Sequence, residues 1–346
     1  MKAALMYAPE DIRIEEIDKP ECPKGGLLLK VVAVGLCGSD IRNMTTDSRK
    51  GKYPHVFGHE TVGIVDEVDE GQKEYKVGDR LYVYPEAHCL HCEYCRSGHS
   101  ELCEAPIDVI SRQGSFADYI AITAEQLARD AVFPIPEGVD FQGASLGEPL
   151  SSVYACQENV GIGLGDTVVI IGAGPIGCFH SQLAKLRGAK KVIMIEINDN
   201  RLHMAKEFGV DEIINSTKED AVEAVKRYTD GKGADKVISA NPSTQAQANA
   251  VFMVKKGGTV VFFGGVPKGK MTEIDSNYIH YNGIWIYGHY GANSMQVQKS
   301  FELAISEEFP TDKFITHVLP LSKINEGIAL MKTGEAIKVV ILPNEK

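Results

Sequence analysis

Residues 167–201, TVVIIGAGPIGCFHSQLAKLRGAKKVIMIEINDNR, leave the chain few ways to fold. The run 168–171 is apolar, β-branched and bounded by Gly-Asp and Gly, the pattern of a buried strand. It flows into Gly172-Ala173-Gly174-Pro175-Ile176-Gly177, then into a helical pattern ending near Arg187-Gly188. A second β-branched run, 191–195, stops at Glu196. A lone G-x-G-x-x-G says little. Strand, glycine turn, helix, second strand and an acid about twenty positions on together make the dinucleotide-binding pattern. Gly172 allows the tight turn, Gly174 the approach of a pyrophosphate, and Gly177 close packing of helix on strand. Pro175 and Ile176 open the helix, whose N-terminus faces the phosphate charge. Glu196 suits a ribose diol and repels a 2′-phosphate, which favours NAD; Arg201, about one turn on, is placed to bind such a phosphate instead. The alternative is an ordinary βαβ crossover whose glycines serve packing alone.

At 346 residues the chain has room for about two domains. A net charge of −11 argues against nucleic acid or an anionic membrane as partner. No apolar run approaches the ~18 residues that span a bilayer, and the first sixteen residues lack the apolar core of a signal peptide. The expected location is the cytoplasm.

Residues 1 to about 150 read as β-rich, with strands at 27–34, 61–68, 80–83 and 116–122 between Gly, Pro and Asp turns. A longer helix is expected at 140–155. From about 152 to 288 the rhythm is strand–helix–strand, with strands at 168–171, 192–195, 212–214, 236–239, 259–263 and 284–287. Six such strands predict a doubly wound parallel sheet and an α/β fold. Helices at 294–306 and 323–333 and a strand at 338–342 follow without that rhythm, so this tail is expected to fold back onto the first domain.

Cys89, Cys92, Cys95 and Cys103 crowd a polar, turn-rich loop. In a reducing compartment that density means metal rather than disulfides. Four thiolates close a tetrahedral zinc shell, a structural rather than catalytic arrangement, and metal binding becomes the folding energy of such a loop. His88, His91 and His99 read as solvated neighbours. A second constellation is scattered: Cys37-Gly38-Ser39-Asp40 after a strand, Gly58-His59-Glu60, and Gly147-Glu148-Pro149-Leu150. Cys, His and carboxylate are the ligand types of an open, catalytic zinc site.

GLCGSD (35–40), GHE (58–60), the four-cysteine lobe, GEPL (147–150) and GAGPIG (172–177) occur in one order. Taken together, the chain resembles the zinc-dependent medium-chain dehydrogenases, and within them the sorbitol (polyol) dehydrogenase branch, with threonine, butanediol and galactitol-phosphate dehydrogenases nearby. The resemblance implies a GroES-like catalytic domain of residues 1–151, with its zinc lobe at 85–104, completed by 291–346. A Rossmann NAD-binding domain of 152–290 lies between them in sequence. It implies a catalytic zinc on Cys37, His59 and a carboxylate, either Glu60 or Glu148, and a structural zinc on the four cysteines. Zinc would act as a Lewis acid on the substrate oxygen, with hydride passing to NAD. Ser39 matches the first hydroxyl of the proton relay, Asp40 reads as structural, and a homodimer or homotetramer is implied.

Two places depart from the polyol pattern. Where those enzymes carry His-Tyr after the Cys-Gly-Ser-Asp motif, this chain has Arg42-Asn43. Where they carry Arg-Tyr after the last Rossmann strand, it has Gly291-Ala292, within 287–292. A guanidinium fork at Arg42 suits a phosphate or carboxylate, so the substrate is read as a secondary alcohol or polyol, or a polyol phosphate. The competing readings are an NADP-linked reductase, an L-threonine or butanediol dehydrogenase, and a non-catalytic NAD sensor. A dead sensor would be expected to have lost Cys37, His59 or the carboxylates, and all are present.

Overall fold

The computed structural model describes residues 1–46, 50–110 and 113–345. The chain divides into two compact units, Met1–Ser151 with Ala292–Lys346, and Ser152–Gly291.

The first unit is built on a seven-stranded sheet. Its order is Val132–Pro134, Arg80–Val83, Glu60–Val68, Leu27–Gly35, Lys338–Leu342 and Ile315–Pro320, with Tyr119–Ile122 also paired to Leu27–Gly35. All pairs are antiparallel except Ile315–Pro320 with Lys338–Leu342. Leu27–Gly35 is central, which suits its sequence LLLKVVAVG, apolar on both faces. The last strand of the chain docks beside it, Val340 opposite Gly35 and Ile341 opposite Val34. A smaller sheet joins Asp11–Glu16, Lys2–Ala8 and His55–Val56. None of these three strands, nor Val132–Pro134 or Ile315–Pro320, has a counterpart in the sequence expectation.

The expected helix at 140–155 is two helices, Phe141–Ser145 and Gly147–Asn159. Pro149 explains the break. In one continuous helix it would be interior, lacking a donor and clashing with the preceding turn; in a helix that starts at Gly147 it falls in the first turn, where neither matters. A Cβ on Gly147 would also come within 2.9 Å of the Phe301 ring.

The second unit is the six-stranded parallel sheet that the βαβ rhythm predicts. Its order is Glu212–Asn215, Lys191–Glu196, Thr167–Ile171, Ala234–Ser239, Val254–Phe262 and Trp285–Gly288. Counted along the chain this is 3-2-1-4-5-6, the doubly wound order. One face buries Val169, Ile193, Val237 and Val260 against Ala224, Val225 and Val251 of two helices, Ala221–Tyr228 and Thr244–Met253. The helix Pro175–Leu186, with seven buried residues including Phe179 and Leu183, follows the glycine turn. No helix among the described residues is long and apolar enough to cross a membrane.

Candidate metal centre and dinucleotide site

Three elements of the first unit converge on one point. The strand Leu27–Gly35 ends two residues before Cys37, which caps the helix Gly38–Met44. His59 and Glu60 stand at the start of the neighbouring strand, where Glu60 is the register partner of Gly35. The donor atoms of Cys37, His59 and Glu60 all lie within 4.8 Å of one another. The sequence left two carboxylates open; the structure puts Glu60, not Glu148, in this set. Gly35 makes room for it, because a Cβ there would fall 1.8 Å from Glu60 Oε2.

Asp40 is more than a structural residue. Buried on the first turn of the helix, it faces His59 Nδ1 at 3.1 Å and accepts from the backbone N–H groups of Gly58 and Cys37. A carboxylate on Nδ1 fixes the imidazole with Nε2 turned outward, the usual support of a metal-binding histidine. Burial pulls the His59 imidazole down, but the charges of Asp40 and Cys37 outweigh it and lift it well above its ordinary value. Ser39 Oγ lies 3.4 Å from His59 Nε2. Arg42 and Asn43 follow Ser39 by three and four residues, hence one helical turn along the same face; Arg42 is exposed and Asn43 half-buried.

Glu60 is wholly buried, and sequence reading missed what neutralises it. Lys338, first residue of the last strand and 1% exposed, donates to Glu60 Oε1 at 2.6 Å and to the Leu36 carbonyl at 3.2 Å. Burial drives its ammonium down, yet Glu60 and Cys37 hold it above its ordinary value, so it stays charged. The same ammonium also ion-pairs with Glu60 Oε2, which has no hydrogen bond in the protein. A cysteine sulfur, an oriented imidazole and a carboxylate whose donor atoms converge fit a divalent cation such as zinc. Half-buried Glu148 stands outside the set, though close enough to feel His59, Glu60 and Lys338. Burial raises its carboxyl to about 7.

The four-cysteine lobe, by contrast, is local in sequence. The Sγ atoms of Cys89, Cys92, Cys95 and Cys103 lie within 4.8 Å of one another. The two-residue strands Glu86–Ala87 and Ile107–Asp108 pair at its base, and Cys92 caps the short helix Glu93–Arg96. Backbone N–H groups of Cys95 and Glu104 lower the Cys92 thiol to about 6, whereas burial pushes Cys95 up to about 12. Such N–H groups favour thiolates, the form that binds metal. His91 and His99 are exposed, as expected, but His88 is not a solvated neighbour. It is 4% exposed and bonds to Asp130 and to Ser294 Oγ, which also meets Ser100 Oγ. Those partners are up to 206 residues away, so no local pattern announced them.

In the second unit Gly172 adopts φ +114°, and a Cβ on Gly177 would fall 1.8 Å from the Gly172 carbonyl oxygen. Both positions demand glycine. Gly174 caps the helix Pro175–Leu186 with no side-chain acceptor, Pro175 sits in the first turn, and a Cβ on Gly174 would meet open space. The first-turn N–H groups are thus left for a ligand, and the surroundings of Ile176 and Gly177 fit a pyrophosphate. Glu196 ends the second strand. Its Oε2 accepts from Ala173 N at 2.9 Å and its Oε1 from Ile197 N at 2.7 Å, which ties the acid to the glycine turn. Arg201 lies in the first turn of the helix Asp199–Ala205, capped by Asn198.

Comparison with known proteins gives two family matches, the alcohol dehydrogenase GroES-like domain over residues 23–137 and the zinc-binding dehydrogenase domain over 175–306. A sorbitol dehydrogenase of Bacillus subtilis is 32% identical over 358 residues, covering 99% of this chain and 98% of its own. An L-threonine 3-dehydrogenase of the same organism is 32% identical over 338 residues, covering 95% and 94%. Among solved structures, a zinc-binding dehydrogenase of Sinorhizobium meliloti bound to NADP superimposes with a TM-score of 0.89 at 28% identity, covering 99% of both chains.

Proposed function

The chain belongs to the zinc-dependent medium-chain dehydrogenases, in their sorbitol dehydrogenase-like branch, and from that premise we propose that it oxidises a secondary alcohol or polyol with NAD. The observation that carries the proposal is the convergence of Cys37, His59 and Glu60 donor atoms within 4.8 Å. Zinc held there supplies a Lewis acid for the substrate oxygen, and a nicotinamide cofactor on the glycine turn supplies the hydride acceptor. The chain's own groups do the rest. Asp40 holds the His59 ring in its productive orientation. Ser39 Oγ, beside His59 Nε2, takes the substrate's hydroxyl proton as the first member of a relay. Glu148, poised near 7, is a second group able to hold a proton at neutral pH. Arg42 and Asn43, one turn beyond Ser39, face the substrate, and Arg42 gives preference to a substrate with an anionic group, such as a polyol phosphate. The four cysteines hold a structural zinc.

On the cofactor side, the first-turn N–H groups of Ile176 and Gly177 hold the pyrophosphate, Pro175 presetting the turn without a donor of its own, and Glu196 accepts from the adenosine ribose. A carboxylate there disfavours a 2′-phosphate, hence NAD. The NADP-bound relative and the position of Arg201 favour the second reading, an NADP-linked enzyme.

The test is reduction of NAD⁺ and NADP⁺ over free and phosphorylated polyols, 2,3-butanediol and L-threonine, before and after chelation. Turnover with NAD⁺ and a polyol, abolished by chelation and restored by zinc, is expected. Turnover of L-threonine alone, or with NADP⁺ alone, would replace the finer assignment. If Arg42→Ala changes the affinities for phosphorylated and free polyols equally, Arg42 does not recognise an anion.

A further inference from the structure

The chain leaves the second unit after Gly291 and re-enters the first at Ala292. The next two residues are held by the four-cysteine lobe. Asn293 caps the helix Ser294–Ala304 through Oδ1, which accepts from Gln296 N at 2.9 Å, while its Nδ2 donates to the Gly98 carbonyl at 3.0 Å. Ser294 N donates to Ser100 Oγ at 2.8 Å. Ser294 Oγ lies 2.9 Å from Ser100 Oγ and 3.2 Å from His88 Nδ1. His88 and Ser100 are each 4% exposed, so these bonds are shielded from water and costly to leave unmade. Among residues 89–104, all of them described, only Ser100 is buried. The lobe thus has no apolar core to place its latching groups. Gly98 and Ser100 lie between Cys95 and Cys103, and His88 directly precedes Cys89, so convergence of the four sulfurs is what sets their positions.

We propose that the four-cysteine lobe is a metal-dependent latch on the returning chain: closed around its cation it holds Asn293 and Ser294 and fixes the helix Ser294–Ala304, and emptied it lets the start of that helix go. The proposal rests on reading the four cysteines as a metal site. The helix carries the effect onward within the first unit. Its Phe301 ring stacks on Tyr82 with centroids 4.5 Å apart and packs against Gly147, the residue before Glu148. A metal outside the catalytic centre thereby acts on turnover.

The experiment uses the full-length protein with its metals bound. Its readouts are metal per chain, the rate of metal release to a chromophoric chelator, hydrogen exchange over 294–301 against the strand Leu27–Gly35, and alcohol turnover. Cys103→Ala is expected to lose one metal per chain and to speed exchange over 294–301 about tenfold or more, with the strand unchanged. Its turnover falls although no donor of the catalytic centre is touched. The reverse variant, Asn293→Asp/Ser294→Ala, keeps the helix cap but removes the amide and the hydroxyl that reach the lobe. It is expected to hold as much metal as the parent and to release the lobe metal, the phase missing from Cys103→Ala, about tenfold faster, because coupling between two sites is reciprocal. Should Cys103→Ala not fold, the double variant carries the test by itself. Unchanged exchange over 294–301 in Cys103→Ala, or parental metal release in the double variant, overturns the proposal, whatever the melting temperature does, because lobe and helix are then independent. A Cys103→Ala protein that holds as much metal as the parent removes the metal reading of the lobe, and the latch with it.

Discussion

Gly35→Ala is the smallest change that reaches the metal centre without touching a donor. The backbone at Gly35 is an ordinary extended one, so alanine brings no conformational strain of its own. Its methyl carbon would fall 1.8 Å from Glu60 Oε2, against an ordinary carbon–oxygen contact of about 3.3 Å. Glu60 must therefore withdraw by roughly 1.5 Å, and Lys338, now 2.6 Å from Oε1, loses its partner or follows. Overpacking a core costs about 1–3 kcal/mol, and breaking a buried pair about 3–5 kcal/mol. A loss of about 3 kcal/mol is expected, since either strain relieves the other. In a unit of this size that lowers the melting midpoint by about 6–12 °C. Displacement of a donor by more than 1 Å is expected to cost on the order of 100-fold in kcat/KM. The assays are thermal unfolding, metal content by chelator titration, and steady-state kinetics. Gly35→Ala/Glu60→Asp, which shortens the side chain by one methylene, should recover part of both losses. A Gly35→Ala protein that melts within about 2 °C of the parent with full metal and full turnover would refute the steric reasoning.

Cys92→Ser is expected to remove one zinc per chain and unfold the lobe, because the lobe's local fold depends on its metal; metal analysis and protease sensitivity near residues 85–104 check it. His180 is buried, and burial holds its imidazole down to about 3, below its unfolded value of about 6.5. The unfolded chain thus binds the extra proton first. Stability is complete above about pH 6.5 and is lost by roughly 1.4 kcal/mol per pH unit as pH falls toward 3, a slope that His180→Gln should flatten in denaturant titrations. The edge strand Trp285–Gly288 exposes Trp285 at 72%, with Tyr281 at 78% nearby in sequence. An open apolar edge invites pairing. Trp285→Arg is expected to shift the proposed dimer or tetramer toward monomer in light scattering, and an unchanged mass would remove this edge from the interface.

The sequence was most legible where function is local. The strand–glycine–helix–strand–acid succession specifies its own backbone: Gly172 and Gly177 sit where any side chain would strain or collide, and the parallel sheet follows from the βαβ rhythm. The four cysteines span fifteen residues of loop, so their grouping is legible from spacing alone. Pro149, read correctly, even marks where a helix must begin. The grouping of Cys37 with His59 and Glu60 was only suggested by their ligand types and became specific through the resemblance, because its parts are contiguous in no element.

What the tertiary structure decided is the second half of each interaction. Cys37, His59 and Glu60 are named by sequence motifs, but that the donor atoms of these three lie together, with room for Glu60 beside Gly35, is visible only in the folded sheet. Asp40 passed for a structural residue until it faced His59. His88 passed for a surface residue until Ser294 and Asp130 enclosed it. Lys338 opens an apolar run, KVVIL, where a lysine reads as a solvated strand end. Its burial follows from a carboxylate 278 residues earlier. Periodicity and spacing report the conformation of a segment and the face it buries. The compensation of one buried charge by another depends on which strands become neighbours, and that is settled only when the sheet closes.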